Sequence, residues 1–310
     1  MIQYGKPVLP GQTIGIAAPS AAVADDAIDA GLQVLHDLGY QTKLGPHCHS
    51  HWGYFAGTDA ERARDIEWAF ADDDVDGIVC LRGGYGATRL LPLLDYDLIR
   101  QHPKLFVGFS DITALHAAFR QRANLATIHG TMVMSLGRRP VAYTKAQFAK
   151  GLQQPYTVGT IALPDDCHVE TIVPGAVTGP LYGGNLMLLA AMTGTPYALE
   201  ATDGLILIED VGEEAYAIDR MLCQLEQSGL VDKAKGFVFG EFTNCEPTEA
   251  APYEFTVRDV VYQYAKKWGK PAVWGFPAGH GENNAWLPLG VPLSLDLTDT
   301  AATIAYVEEK

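Results

Sequence analysis

Three residues of this chain, a serine, a glutamate and a histidine, occupy local settings that suit covalent chemistry. Ser110 lies in Gly108-Phe109-Ser110-Asp111, after the apolar run 105–109 and before a helical pattern near 112–122. A serine at such a strand-to-helix junction projects its hydroxyl at a sheet edge, beside backbone N–H groups that stabilise an oxyanion. The same residue also suits an N-cap, with Asp111 and Thr113 behind it, and the elbow pattern G-x-S-x-G has Ile112 in place of its second glycine. Glu209 and Asp210 follow the apolar run 204–208. The C-terminal end of a buried strand is where α/β sheets place functional groups. An acidic pair ahead of a helix is equally well explained by the helix dipole. His280 stands in Gly279-His280-Gly281-Glu282-Asn283-Asn284. Flanking glycines leave an imidazole accessible and admit close backbone approach, and imidazole is the side chain best matched to a general base at neutral pH. The alternative is a loop histidine bonded to Glu282 or Asn283.

Two further clusters invite attention. Arg82-Gly83-Gly84-Tyr85-Gly86 follows the apolar run 77–81. Such a turn can cradle phosphate, but it has neither the Walker lysine nor the GxGxxG spacing, and its N–H groups could equally form half of an oxyanion hole. His47, His49 and His51 alternate around Cys48 and would face one way in an extended segment, which suggests a metal site. Gly45, Pro46, Ser50 and Gly53 describe a loop instead, with no carboxylate partner fixed nearby. His129, in Ile128-His129-Gly130, reads as a structural histidine near a sheet edge. No convincing ligand set remains, so neither a metal nor another cofactor is expected.

The elements that must position these residues alternate along the first half. Residues 13–18 read as a buried strand, followed by a helix near 24–38 that Gly39 stops. A strand near 40–44 precedes a helix opened by the capping box of Thr58 and Glu61. The runs 77–81 and 105–109 are continuous apolar strands, as expected where both faces are covered. Strand alternating with helix implies an α/β fold, a parallel sheet with helices on both sides. The stretch 137–176, with Arg138-Arg139-Pro140 and Gln153-Gln154-Pro155, reads as an extended connection. It divides an N-terminal α/β domain, 1–136, from a C-terminal α/β domain, 177–310, whose last thirty or so residues look like short strands joined by turns. In the second domain, strands are expected near 177–181, 204–208, 236–240 and 272–275, with helices near 185–193 and 215–227.

Composition narrows the possibilities. The 310 residues are 48% hydrophobic and 19% charged, a globular balance, and the formal net charge is −15. A surface that acidic repels phosphate backbones and anionic headgroups, so neither nucleic acid nor membrane is an expected partner. The five cysteines form no CxxC pair, which argues against a disulfide framework or a zinc ribbon. The N-terminal residues match neither a signal peptide nor a membrane span, and a soluble cytoplasmic protein is expected.

Several segments together resemble the LD-carboxypeptidase family, the muramoyltetrapeptide carboxypeptidases with the microcin C self-immunity peptidases as relatives. They are GQTIGIAAPS at 11–20, GTDAERARDI at 57–66, GIVCLRGGYGATRLLPLLDY at 77–96 and VGFSDITALH at 107–116. The order continues with GPLYGGNLMLLAAMTGTPY at 179–197, LILIEDVGEEAYAIDRML at 205–222 and the region around Gly279-His280. The resemblance implies a serine peptidase whose triad is Ser110, Glu209 and His280. Glu213 and Glu214 are set aside because the family's glutamate directly follows the apolar strand. Asp111 and a glycine of the turn, Gly83 or Gly84, would supply the oxyanion-hole N–H groups. Arg82 and Arg89 become candidates for the substrate's free carboxylate, with Tyr85 and Asn185 as further substrate-binding residues. The implied substrate is a cytoplasmic murein tetrapeptide, cut between the L-centre of its third residue and a terminal D-alanine during peptidoglycan recycling. A homodimer is implied in the same way. Because Ser110 precedes the connection and Glu209 and His280 follow it, the active site is expected at the domain interface. The competing readings are a microcin C-type immunity peptidase, an α/β-hydrolase-like esterase and a non-catalytic peptide-binding protein.

Overall fold

The computed structural model describes residues 2–138, 140–246 and 254–308, so Arg139 of the Arg-Arg-Pro stretch lies outside the described residues. Two compact units emerge: residues 1–155 with 284–290, and residues 156–283 with 291–310.

In the first unit, β1 (Thr13–Ala17), β2 (Gln41–Leu44), β3 (Gly77–Cys80), β4 (Leu105–Gly108) and β5 (Thr127–His129) pair in parallel, in the order β5-β4-β3-β1-β2. The helices Asp25–Asp37, Asp59–Ala71, Tyr96–Gln101 and Thr113–Ala118 alternate with them. Every residue of β3 and β4 is buried, which is why both read as uninterrupted apolar runs. The Thr58 capping box forms, with Thr58 N–H donating to Glu61 Oε2 at 2.8 Å and Glu61 N–H to Thr58 Oγ1 at 3.4 Å. The sheet has a sixth strand that local pattern did not assign to it. Leu287–Leu289 pairs antiparallel with β5, setting Leu287 opposite His129. His129 is therefore fully buried, on the strand next to the edge strand.

Over 137–176, where the sequence suggests a connection, the first unit has the helix Ala142–Gln153, with Phe148 and Leu152 buried. The rest of that stretch supplies β6 (Gly159–Thr160) and β7 (Glu170–Val173), the two edge strands of the second unit's sheet. That sheet continues with β8 (Gly175–Asn185), β9 (Leu205–Val211), β10 (Gly236–Thr243) and β11 (Ala272–Trp274). Leu287–Leu289 is β12 in chain order, and β13 (Pro292–Leu297) and β14 (Ala302–Tyr306) complete the sheet in the order β6-β14-β13-β8-β9-β10-β11-β7. Strands β8 to β11 are parallel, whereas β13 and β14 form an antiparallel β-rich end. The helix Ala215–Gln227 buries Ile218, Met221, Leu222 and Leu225 in the cluster that holds Phe237 and Phe239 of β10. Both β8 and β9 run longer than their apolar cores, so Asn185, Glu209 and Asp210 are strand residues. The five cysteines are free, and among the described residues no helix is long and apolar enough to cross a membrane.

Candidate active site

The turn after β4 is tight. Ser110 adopts φ 64°, a left-handed conformation that costs a non-glycine residue about 1–3 kcal/mol and clusters at functional sites. Gly108 makes room for it, since a Cβ there would stand 2.8 Å from Ile112 Cγ2. Ile112, the departure from G-x-S-x-G, thus packs against the first glycine of the pattern. Gly83 of the neighbouring turn is needed for another reason. A Cβ on it would fall 2.9 Å from Ser110 Cβ, 3.1 Å from Ser110 Oγ and 3.4 Å from Asp111 N. The backbone at Gly83 and the start of the Asp111 peptide therefore flank the serine.

Buried groups hold this turn from below. The Asp111 carboxylate accepts from Ser20 Oγ at 2.6 Å and from Ala87 N–H at 2.8 Å, joining the ends of three loops. Burial pushes its pKa upward. His116 was not singled out from sequence, although it ends the VGFSDITALH segment. Its Nε2 bonds the Gly108 carbonyl at 2.9 Å, and full burial drops its pKa to about 4, so the ring is neutral and donates.

The other two candidates, Glu209 and His280, lie in the second unit. Glu209 is completely buried, and its Oε2 lies 2.7 Å from His280 Nδ1. Adjacent strand residues point to opposite faces, which separates the acidic pair. Asp210 accepts from Asn185 Nδ2 at 2.8 Å, Met187 N–H at 3.0 Å and Val211 N–H at 2.8 Å, anchoring the start of the helix Leu186–Met192. Burial raises the Asp210 pKa to about 6. Glu209, rather than Asp210, Glu213 or Glu214, therefore carries the carboxylate bonded to His280. Two glycines permit that approach. A Cβ on Gly279, at φ 130°, would sit 2.8 Å from Glu209 Oε2, and one on Gly240 would sit 2.4 Å from Ala278 O and 3.1 Å from Glu209 Cβ. Gly279 was visible as part of a Gly-His-Gly loop; Gly240 carried no local signal.

The remaining sequence candidates divide. Arg82 donates to Ala22 O at 3.3 Å, and no ion pair holds it among the described residues. Arg89 is bound to Asp59 through Nε at 2.9 Å and Nη2 at 2.8 Å, and it lies over the Trp52 and Phe55 rings. Tyr85 is half-exposed beside Tyr54 and Phe55. Gly84 adopts φ 109°, and a Cβ there would meet Ala21 Cβ at 2.8 Å, so it shapes the turn. Asn185 caps the helix Leu186–Met192, its Oδ1 accepting from Leu188 N–H at 3.2 Å. The histidine cluster does not converge. His47 bonds Asp65 at 2.6 Å and His49 bonds Asp25 at 2.6 Å, two carboxylates on different helices, where the sequence offered no fixed partner. Among the described residues no group of three or more His, Cys, Asp or Glu is arranged to hold a metal ion.

Comparison with known proteins supplies independent context. Residues 14–130 match the family model of the LD-carboxypeptidase N-terminal domain, and residues 178–295 match that of the C-terminal domain. A probable murein peptide carboxypeptidase of Bacillus subtilis is 37% identical over 296 residues, 95% of this chain and 92% of its own length. The murein tetrapeptide carboxypeptidase of Pseudomonas aeruginosa is 35% identical over 280 residues, 88% of this chain and 90% of its own. Among solved structures, MccF in complex with glutamyl sulfamoyl guanosine matches with a TM-score of 0.90 at 25% identity, covering 98% of each chain.

Proposed function

The chain belongs to the LD-carboxypeptidase family, and from that premise we propose that it hydrolyses the amide joining an L-centre to a C-terminal D-amino acid. The substrate is a murein tetrapeptide, as the names of the relatives suggest, and the released product is D-alanine. The work belongs to cytoplasmic peptidoglycan recycling, and the enzyme acts as a homodimer.

The observation that carries the reading is the bond from the buried Glu209 carboxylate to His280 Nδ1. With Nδ1 committed as a donor, Nε2 is the basic atom of the ring, which is what a serine nucleophile requires. Ser110 Oγ attacks the amide carbonyl while His280 Nε2 takes the hydroxyl proton, and Glu209 stabilises the imidazolium. The oxyanion is met by the N–H of Asp111 and an N–H of the Gly83-Gly84 turn. The C–N bond breaks as His280 returns the proton to the departing amine, leaving an acyl group on Ser110. Water, deprotonated by the same imidazole, then releases the shortened peptide. Arg82, free of ion pairing among the described residues, suits the substrate's terminal carboxylate better than Arg89, which is held in an ion pair with Asp59.

The likeness to MccF supports a second reading, an immunity peptidase acting on an aminoacyl sulfamoyl nucleoside. One experiment tests both. The wild type and Ser110→Ala are incubated with a tetrapeptide ending in D-alanine, its all-L diastereomer, glutamyl sulfamoyl adenosine and p-nitrophenyl acetate. Release of D-alanine from the first substrate alone, abolished by Ser110→Ala, is expected. Equal rates on the two diastereomers remove the carboxypeptidase assignment. Cleavage of the sulfamoyl adduct alone favours the second reading.

A further inference from the structure

Strand β10 does something to the His280 loop that its pattern does not announce. Its register with β9 shifts between Phe239 and Phe242, so Gly240 and Glu241 sit at an irregularity beside Glu209. Bulges of this kind re-aim side chains. Glu241 N–H donates to Ala278 O at 2.9 Å, and the Glu241 carboxylate accepts from Gly281 N–H. Those two bonds bracket Gly279 and His280. The fit on the second is close, because a Cβ on Gly281 would coincide with the carboxylate, 1.2 Å from Oε2 and 2.3 Å from Cδ. The Gly240-Glu241 dipeptide thus packs on Glu209 with one residue and ties both ends of the His280 loop with the other.

We propose that Glu241 is a positioning residue for His280, fixing the loop that presents the imidazole to Glu209 and adding a second acidic group beside that pair. The inference rests on the triad reading above. A neutral acceptor would serve to hold a loop, whereas a carboxylic acid here is expensive. The titratable groups around it are Glu209 on β9, His280 and Glu282 on the loop, and Asp166, Cys167 and His168, which line the same cleft. Burial, reinforced by the Glu209 and Glu282 carboxylates, raises the Glu241 pKa to about 7. Glu241 is therefore mostly neutral below that pH and ionised above it. Ionisation places negative charge near the imidazole without disturbing the bond to Gly281.

The test is the pH dependence of kcat and KM for D-alanine release by the wild type, Glu241→Gln, Glu241→Ala, Gly281→Ala and His280→Ala. Glu241→Ala should lower kcat by about tenfold to 10²-fold with KM little changed, because a loosely held base loses its orientation. Glu241→Gln retains an oxygen for Gly281 N–H and should recover most of that loss at about pH 6, with a kcat profile that departs from the wild type as the pH rises through about 7. Gly281→Ala forces the carboxylate out and should mimic Glu241→Ala, with the double variant no worse than either single one. The proposal is overturned if Glu241→Ala matches the wild type across the pH range, or if the Glu241→Gln profile superimposes on that of the wild type. His280→Ala separates the two levels. An active His280→Ala sinks the triad and this inference with it, whereas an inactive one beside an unaffected Glu241→Ala sinks this inference alone.

Discussion

Glu209→Gln probes the site most directly. Glutamine is nearly isosteric, so the close approaches of Gly240 and Gly279 survive. What changes is the bond of 2.7 Å to His280 Nδ1. If the new amide donates its N–H to Nδ1, the ring proton moves to Nε2, which can no longer accept from a serine. Such acid-to-amide changes in serine hydrolases cost on the order of 10⁴ in kcat, or ~5.5 kcal/mol at 1.36 kcal/mol per decade. If instead the amide turns its oxygen to Nδ1, the tautomer survives and only the acceptor's charge is lost. A hydrogen bond to a charged group is worth about 1.5–3 kcal/mol, which corresponds to about 10- to 10²-fold. Full burial of Glu209, with no water to take over, favours the larger figure. The expected loss in kcat therefore lies at about 10²- to 10⁴-fold, with KM little changed and the near-UV circular dichroism retained. D-alanine release coupled to D-amino acid oxidase measures it. A kcat within about threefold of wild type would falsify the role given to the Glu209–His280 pair.

Three other outcomes follow from the same contacts. His116 is neutral when buried and titrates near 6.5 when unfolded, so the unfolded state binds more protons between that pH and about 4. Its contribution is whole above pH 6.5 and is lost as the pH falls toward 4, reaching ~2.5 × 1.36, or ~3 kcal/mol; urea titrations should show His116→Asn losing less stability than wild type over that window. Trp286 packs on Phe148 with centroids 6.0 Å apart, donates its indole N–H to Pro155 O at 3.2 Å and leaves no room for a Cβ on Gly151. Trp286→Ala should destabilise the protein by about 3–5 kcal/mol, visible as a lower urea midpoint. Exhaustive chelation with EDTA should leave activity intact, because the proposed steps use only side chains and backbone N–H groups; loss of activity restored by zinc would return attention to the histidines at 47–51.

Much of the candidate site's local geometry was legible because it depends on short-range rules. A serine between an apolar strand and a helix, an acid at a strand's end, a histidine between glycines and a Thr-x-x-Glu box are local signals. The structure has Ser110 at φ 64°, Glu209 bonded to His280 and the Thr58 capping box formed. What remained hidden depends on pairings made across long separations. Local evidence left the pair Glu209 and Asp210 even between a functional role and an acidic start to the following helix. Only the extension of β9 through both, with Asn185 on the neighbouring strand, sent one carboxylate to the imidazole and the other to a helix start. Arg89 looked like an anion ligand because nothing nearby in sequence reveals that Asp59, on another helix, already binds it. No pattern in Leu287–Leu289 distinguishes a strand of the second sheet from one that crosses back to cover β5. Gly240 and Glu241 became meaningful only once Ala278 and Gly281 lay against them. Propensity and turn chemistry act over a few residues, whereas register and side-chain partners are selected by which buried surfaces and polar groups can be satisfied together.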